Sequence, residues 1–308
     1  MIMSTLQERF EGIRDNSAYT LVTQDHPLRL YIGLDNDGNK AMKFRGRFKP
    51  DQIRDTAFIQ VRHFQGTDYN TVVFSLLNDA GASIFYRFCE DLIEVTQHEN
   101  NEQNAYRVLR DRYLHWRQLF SNAQQRRLAE YQILGLIGEL LSLRDFLIPR
   151  YGLETALQGW GGQELTHKDF SYQDCWFEAK TLVAASTTVK IPSLEQLESD
   201  LPGKLLVFKM EKLASAADGI RLNRLVDEFL TMLTDPLLHE IFMEKISLQD
   251  YSYLPEYDDY VYRETERHIF TVNEEFPKLT RHNVPESISK ATYEIPITAM
   301  LPFEADQI

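Results

Sequence analysis

The sequence predicts a protein of the mixed α/β (α+β) class, and three observations support this prediction. Apolar and polar residues alternate, as in strands, through most of residues 28–76. A long apolar helical pattern covers residues 126–148, and short strand patterns follow it. Two amphipathic helical patterns and an aromatic, β-type region complete most of the remaining chain. Because helical and strand patterns intermix along the chain, neither an all-α nor an all-β protein is expected.

The N-terminal part is predicted to run from β-structure to α-structure. A short helical pattern follows Ser4, and Asp35-Asn36-Asp37-Gly38 supplies turn residues between two strands of a hairpin. The strands of this part cover residues 28–34, 40–48, 58–64 and 70–76, and its helices cover residues 79–96 and 102–120.

The central part begins with the helix over residues 126–148. Gly135 and Gly138 inside this helix indicate that another backbone segment approaches it closely. Pro192-Ser193 is typical of a helix start and predicts a short helix over residues 194–200. The predicted strands of this part cover residues 167–172, 175–183, 187–191 and 205–210.

Helices over residues 222–233 and 237–246 and a β-type region through residue 270 follow. We therefore expect a β-rich N-terminal subdomain, a central core, and a C-terminal α+β extension packed on that core. The boundaries of these three parts are 1–125, 126–213 and 214–308.

Composition and charge exclude several classes of protein. The chain of 308 residues has 46 acidic and 33 basic side chains and a formal charge of −13, so it does not coat nucleic acid by bulk electrostatics. Residues 221–308 alone hold 17 acidic and 8 basic side chains. The two cysteines form no CxxC pair, and no apolar run reaches membrane-spanning length. With no secretory signal pattern at its start, the chain is expected to be cytoplasmic.

Any contact with DNA must therefore use a local basic patch. Lys43, Arg45, Arg47 and Lys49 alternate with apolar residues in the predicted hairpin, so their side chains share one strand face. These four residues are the candidate DNA contacts. The alternative is an ordinary solvated strand face.

Four charged residues stand in otherwise apolar surroundings between positions 139 and 180. Glu139 has apolar neighbours on both sides along its helix, so its carboxylate needs a cation, a donor or a proton. Asp169 precedes one strand, and Glu178 and Lys180 project from the same face of the next. A tight hairpin at residues 171–174 would bring Asp169 and Glu178 together.

Two clustered carboxylates repel each other unless a divalent cation lies between them. Oxygen ligands suit Mg²⁺ or Mn²⁺, and the Lys180 ammonium would orient an attacking water, so this group predicts metal-dependent hydrolysis of a phosphodiester. Two alternatives remain open. For Glu178 and Lys180, the alternative is a solvent-exposed strand face on which they form a weak ion pair. For Glu139, the alternative is a carboxylate that pairs with Arg144 or Lys180 for structural reasons.

The order helix Glu139, strand Asp169 and strand Glu178-x-Lys180 resembles the PD-(D/E)XK nuclease superfamily. Further motifs are similar to a bacterial family assigned to that superfamily and often encoded among phage-defence genes. These motifs are Gly135-Leu-Ile-Gly-Glu-Leu-Leu141, Trp160-Gly161, His167-x-Asp169-Phe170, Phe177-Glu-Ala-Lys-Thr181 and Ile191-x-Ser193-x-x-Gln196-Leu197. Lys168 stands where the superfamily motif has proline.

The resemblance implies a restriction-endonuclease-like core, in which helices flank a mixed sheet. It implies Mg²⁺ (or Mn²⁺) held by Glu139, Asp169 and Glu178, with Lys180 as the fourth catalytic residue. His167, Ser193 and Gln196 are possible supporting residues, although Gln196 has the alternative of an exposed position. The predicted function is a metal-dependent DNA endonuclease with protein partners in a defence system and no membrane association. The alternative function is a catalytically inactive interaction subunit of such a complex.

Overall fold

A computed structural model describes residues 6–24, 26, 28–51, 53–121, 127–161 and 168–305. The chain divides into two compact units. Unit 1 comprises Met1–Arg127, Phe229–Pro236 and Asp250–Pro255, and unit 2 comprises Leu128–Glu228, Leu237–Gln249 and Glu256–Ile308. The three-part division expected from the sequence stays a prediction.

In unit 1, the described strands form one antiparallel sheet in the order β1-β2-β3-β5-β4. The predicted hairpin, the two further strands and both long helices are confirmed, whereas the short strand β1 has no counterpart in the sequence prediction. The elements are α1 (Leu6–Glu11), β1 (Tyr19–Leu21), β2 (Arg29–Leu34), β3 (Lys40–Gly46), β4 (Ile59–Gln65), β5 (Asn70–Leu76), α2 (Ala82–Thr96) and α3 (Glu102–Ser121).

The turn between β2 and β3 explains why this hairpin forms. The Asp35 carboxylate accepts hydrogen bonds from the backbone N–H groups of Asp37 and Asn39, each at 2.9 Å. Gly38 has a φ of +83°, a left-handed conformation that glycine adopts without a steric cost. The turn therefore fixes which residues of β2 and β3 lie opposite each other.

One face of this sheet is buried against helices. The Phe74 ring on β5 lies 5.6 Å from the Phe88 ring on α2 and 5.0 Å from the Tyr113 ring on α3. Met42 and Phe44 on β3 are almost completely buried. Because side chains alternate along a strand, the residues between them lie on the opposite face.

From Leu128 onward the described strands form a mixed sheet in the order β10-β9-β7-β6 and a separate antiparallel pair, β11-β8. Strands β7 and β9 are parallel, and the other pairs of the mixed sheet are antiparallel. The elements are α4 (Glu130–Ser142), α5 (Ile148–Tyr151), α6 (Leu153–Gly159), β6 (Phe170–Ser171), β7 (Trp176–Val183), β8 (Thr188–Ile191), β9 (Gly203–Leu213), α7 (Leu222–Met232), α8 (Pro236–Leu248), β10 (Val261–Val272), β11 (Tyr293–Pro296) and α9 (Ile297–Met300).

The mixed sheet has packed side chains on both faces. On one face, α4 lies against β7, and a short π-helical segment, Leu143–Leu147, places the Phe146 ring 6.2 Å from the Phe208 ring on β9. On the other, Trp176, Leu205 and Val207 belong to an apolar cluster completed by residues from β8, β10, β11 and α9. The α+β fold with a central mixed sheet is therefore as the sequence predicts.

The predicted helix over residues 194–200 is wrong, because this segment consists of turns and bends. The Lys168 ammonium accounts for the difference, since it binds three backbone carbonyl groups of the segment. Helix α6 and strand β11 are additions that the sequence patterns do not predict. Among the helices of the described residues, none has both the length and the hydropathy needed to cross a membrane.

Candidate active site

The hairpin between β6 and β7 brings Asp169 beside Glu178. Phe170 pairs with Phe177, and the Tyr172 N–H donates to the Cys175 carbonyl at 3.0 Å to close the turn. The Asp169 backbone N–H donates to Glu178 Oε2 at 3.3 Å, and the Ala179 N–H donates to Asp169 Oδ2 at 2.8 Å. The juxtaposition expected from the hairpin is therefore present.

Lys180 lies two residues after Glu178 on β7 and is bound to it. Lys180 Nζ donates to Glu178 Oε1 at 2.8 Å. The Glu178 side chain has no exposed surface, while 19% of the Lys180 side chain is exposed. A solvent-exposed ion pair on an ordinary strand face is thus excluded, because the carboxylate is fully buried.

Glu139 is held by neutral donors rather than by a structural cation. Its Oε2 accepts from Trp160 Nε1 at 2.7 Å and from Gln249 Nε2 at 3.4 Å. Arg144 instead pairs with Asp145 at 2.7 Å and with Glu228 at 3.2 Å. The alternative in which Arg144 is the partner of Glu139 is therefore wrong.

Gly138 allows α4 to approach β7 at the position of Glu139. A Cβ atom on Gly138 would lie 2.0 Å from Thr181 Oγ1, which no real side chain allows. The close approach expected at Gly138 is therefore present, although the atoms that its Cβ would meet belong to the side chains of Thr181 and Phe208 and not to a backbone. The same expectation is wrong for Gly135, where a Cβ would meet no atom of the described chain within 4 Å.

Burial and mutual repulsion raise the pKa values of the carboxylates in this group. Burial, together with the charge of Asp169, raises the pKa of Glu178 to about 8. The pKa of Glu139 is also raised, first by burial and then by Asp169. Burial would lower the pKa of Lys180, but the charges of Glu178 and Asp169 outweigh it and raise that pKa. Each group of the site therefore senses the charges of the others.

This donor set fits a divalent cation of the magnesium type. Carboxylate oxygens are the ligands such ions prefer, and a cation would offset the repulsion that raises the pKa values. Within the described residues, no group of three or more His, Cys, Asp or Glu side chains is arranged so that it could hold a metal ion. Mg²⁺ usually takes one or two carboxylates and completes its shell with waters and phosphate oxygens, so Asp169 and Glu178 suffice.

Lys168, the residue before Asp169, binds the chain segment that carries Gln196. Its Nζ donates to the backbone carbonyl oxygens of Glu195, Gln196 and Glu198 at 2.5, 2.7 and 2.9 Å. It also lies 4.5 Å from the centre of the Trp176 ring, and burial lowers its pKa to about 8. Lys168, which stands where the superfamily motif has proline, therefore has a structural role in holding residues 195–198.

The possible supporting residues have different surroundings. Gln196 is partly buried, which excludes an exposed position, and its buried Oε1 accepts no hydrogen bond from a described residue. The Ser193 hydroxyl interacts with the Glu195 carboxylate, which also binds Arg281 at 2.6 Å. His167 lies outside the described residues.

Two residues that contact Glu139 have no assigned role in the sequence analysis. Trp160 belongs to the Trp160-Gly161 motif, and this motif is the sequence signal that could have identified the hydrogen-bond donor to Glu139. Lys245 on α8 donates to the Trp160 carbonyl and thereby fixes the residue that carries this donor. Gln249 follows α8, more than 100 positions after Glu139, and no sequence pattern connects the two.

The candidate DNA contacts lie in unit 1 and share the solvent-facing side of β3 and its extension. Arg45, Arg47 and Lys49 are exposed and Lys43 is partly exposed. The intervening residues Met42, Phe44 and Phe48 are buried. The strand alternation expected for this basic patch is confirmed.

A family model described as "Putative PD-(D/E)XK family member, (DUF4420)" matches residues 6–298 of the chain. Neither the comparison with curated proteins nor the comparison with solved structures yields a match. The family match covers nearly the whole chain, including both units and every residue discussed for the site.

Proposed function

Because this chain belongs to the family described as putative PD-(D/E)XK members, whose function is nuclease-like, we propose that it is a metal-dependent DNA endonuclease. Its catalytic residues in this proposal are Glu139, Asp169, Glu178 and Lys180. The observation that carries it is a buried group of three interacting carboxylates with a lysine ammonium bound to one of them. Burying such a group is costly, and carboxylates with pKa values perturbed in this way cluster at functional sites.

Asp169 and Glu178 would hold the divalent ion, Mg²⁺ or Mn²⁺, and Glu139 would hold it directly or through water. A bound ion of this kind polarises a phosphoryl oxygen and lowers the pKa of water. The Lys180 ammonium, oriented by Glu178 at 2.8 Å and partly open to solvent, would orient the attacking water. The same charge would stabilise the negative charge that develops on the phosphate.

Trp160 and Gln249 orient Glu139 through their hydrogen bonds to its Oε2. Lys168 orders the segment of Gln196, whose buried Oε1 has capacity to bind a water or a substrate donor. Ser193 and His167 remain possible supporting residues. The patch of Lys43, Arg45, Arg47 and Lys49 would contact DNA phosphates. We further propose a cytoplasmic location and protein partners within a bacterial phage-defence system.

The test is cleavage by the purified protein and by single variants at the two central carboxylates. Plasmid, single-stranded DNA and RNA are incubated with the parent, with Asp169→Ala and with Glu178→Ala, under Mg²⁺ or Mn²⁺ and with EDTA. We expect cleavage by the parent that EDTA and either variant abolish. Glu211→Ala, which removes an exposed carboxylate from β9, should cut like the parent. Equal cleavage by parent and site variants would exclude this active site.

The second candidate function is an inactive interaction subunit that retains the nuclease fold. One observation favours it: in the described part of the chain, no three His, Cys, Asp or Glu side chains lie close enough together to hold a metal ion. Calorimetric titration with Mg²⁺ and Mn²⁺ separates the two functions. A nuclease is expected to bind the ion and to lose this binding in Asp169→Ala, whereas an interaction subunit has no need to bind it.

A further inference from the structure

The exposed face of the unit 1 sheet carries several cations that form no side-chain ion pair within the described part of the chain. Five cations, Arg29, Lys43, Arg45, Arg47 and Lys49, form no ion pair with a described residue, although the chain has 46 acidic side chains. In contrast, Lys40 and Arg62 of the same sheet pair with Asp79 and Asp37, at 2.6 and 2.5 Å. Uncompensated cations on one face of an acidic protein are complementary to a polyanion.

Aromatic rings are interleaved with these cations. The guanidinium carbons of Arg45, Arg47 and Arg29 lie 5.1, 5.4 and 5.8 Å from the centre of the Tyr69 ring. Lys43 Nζ lies 3.7 Å from the centre of the Tyr19 ring and 4.9 Å from that of Tyr31. These rings hold the cations in place by cation–π attraction, while Arg29, Arg45 and Arg47 remain exposed.

The sheet register places an exposed ring in the same row as these cations. Arg45 on β3 lies opposite Arg29 on β2 and Thr71 on β5, and Thr71 lies opposite Phe64 on the edge strand β4. Directly paired residues of an antiparallel sheet share a face. Phe64 is 53% exposed, so its ring is accessible to a ligand on this face.

We propose that this face, formed by Arg29, Tyr31, Lys43, Arg45, Arg47, Lys49, Phe64 and Tyr69, binds single-stranded nucleic acid. The cations contact the phosphates, and Phe64 and Tyr31 stack on bases. A duplex keeps its bases stacked inside, so it uses the cations and leaves the rings without a partner, whereas a single strand uses both. The inference rests on the proposed function, which makes nucleic acid the expected ligand. It adds that the nucleic acid bound by this face is single-stranded.

The test measures binding without cleavage. Fluorescence anisotropy with EDTA follows binding of labelled oligothymidylate, oligouridylate and a DNA duplex of equal length to the full chain. Phe64→Ala should weaken binding of the single strands about fivefold or more at every salt concentration, because each stacked base contributes about that much. Duplex binding should not change. Arg45→Gln should lower the salt slope for oligothymidylate by about 0.7, because one phosphate contact is lost.

Two control variants keep the result specific. Leu301→Ala removes an exposed apolar side chain from unit 2, and Arg263→Gln removes an exposed, ion-paired cation there; both should bind like the parent. Phe64→Leu keeps the apolar volume without the ring and should bind as weakly as Phe64→Ala. Full binding by Phe64→Leu, an equal loss for duplex and single strands, or no binding by the parent would overturn the proposal.

Binding and cleavage fail independently in this design. A parent that cuts no substrate but binds oligothymidylate through Phe64 supports the surface and counts against the nuclease. A parent that cuts DNA but binds single strands independently of Phe64 supports the nuclease and counts against the surface. Comparison of oligothymidylate with oligouridylate then separates DNA from RNA as the preferred strand.

Discussion

Gly138 on α4 and Thr181 on β7 approach so closely that a Cβ atom on Gly138 would lie 2.0 Å from Thr181 Oγ1. This approach positions the next residue, Glu139, near Asp169 and Glu178, whose charges raise its pKa. The absence of a single methyl group therefore helps to determine whether the helix carboxylate reaches the carboxylates of the strands.

The first prediction compares two glycines of the same helix. Gly138→Ala forces α4 away from β7 and should destabilise the protein by roughly 1–3 kcal/mol, as overpacking does. Gly135→Ala is the matched control, because its Cβ meets no described atom within 4 Å, and it should be neutral or stabilise by up to about 1 kcal/mol. Urea unfolding measures both free energies. Equal stability of the two variants would contradict the close packing.

The second prediction concerns the buried carboxylate of Glu139. Glu139→Gln keeps the volume and an oxygen for Trp160 Nε1 while removing a buried charge, so the metal-free protein should be as stable as the parent or more stable. Its Mg²⁺ affinity and its cleavage should fall. Thermal melting and calorimetric Mg²⁺ titration measure these two effects.

The opposite result would give Glu139 a structural role. A melting temperature lowered by the equivalent of about 1–3 kcal/mol, with unchanged Mg²⁺ affinity, would mean that a cation such as Lys180 has lost its partner. Glu139 would then have no part in metal binding.

The third prediction is a pH dependence of the metal-free protein. The folded pKa of Glu178 is about 8 and its unfolded pKa is near 4.5, so between these values the unfolded state ionises Glu178 while the folded state keeps the proton. The contribution of Glu178 to stability is therefore present below pH 4.5 and is lost as the pH rises to about 8. Urea unfolding in EDTA should show a loss of at least about 1 kcal/mol that Glu178→Gln reduces.

Divalent metal supplies the complementary measurement. Mg²⁺ binds the ionised carboxylates, so it should stabilise the parent more at pH 8 than at pH 5. A stability difference between pH 5 and pH 8 that is the same in the parent and in Glu178→Gln would contradict the assigned titration.

The fourth prediction tests Lys168 as the cation that orders residues 195–198. Lys168→Met leaves three backbone carbonyls without their donor and should destabilise the protein by roughly 2–4 kcal/mol. Lys190→Met, on an exposed position of β8, should stay within about 0.5 kcal/mol of the parent. Guanidinium unfolding of both variants provides the comparison, and similar stabilities would show that Lys168 is dispensable.

Local signals in the sequence predict most of the unit 1 sheet. Asp35 and Gly38 specify the hairpin turn through short-range hydrogen bonds and backbone conformation, and strand alternation specifies which side of β3 is buried. The same kind of signal is misleading at residues 194–200. Pro192-Ser193 favours a helix locally, but Lys168 binds the carbonyls that a helix would use internally.

By itself, the sequence determined the mixed fold class, the basic face of β3, the hairpin that joins Asp169 to Glu178, and the shared face of Glu178 and Lys180. These features depend on neighbours within about ten residues, whose relative positions follow from strand and turn geometry. Only the tertiary structure decided that Trp160 and Gln249 hold Glu139, that Lys168 orders a distant segment, and that the Tyr69 ring lies beside Arg29, Arg45 and Arg47. The reason is physical: these contacts join segments far apart in the sequence, and only packing of the whole chain fixes their distances.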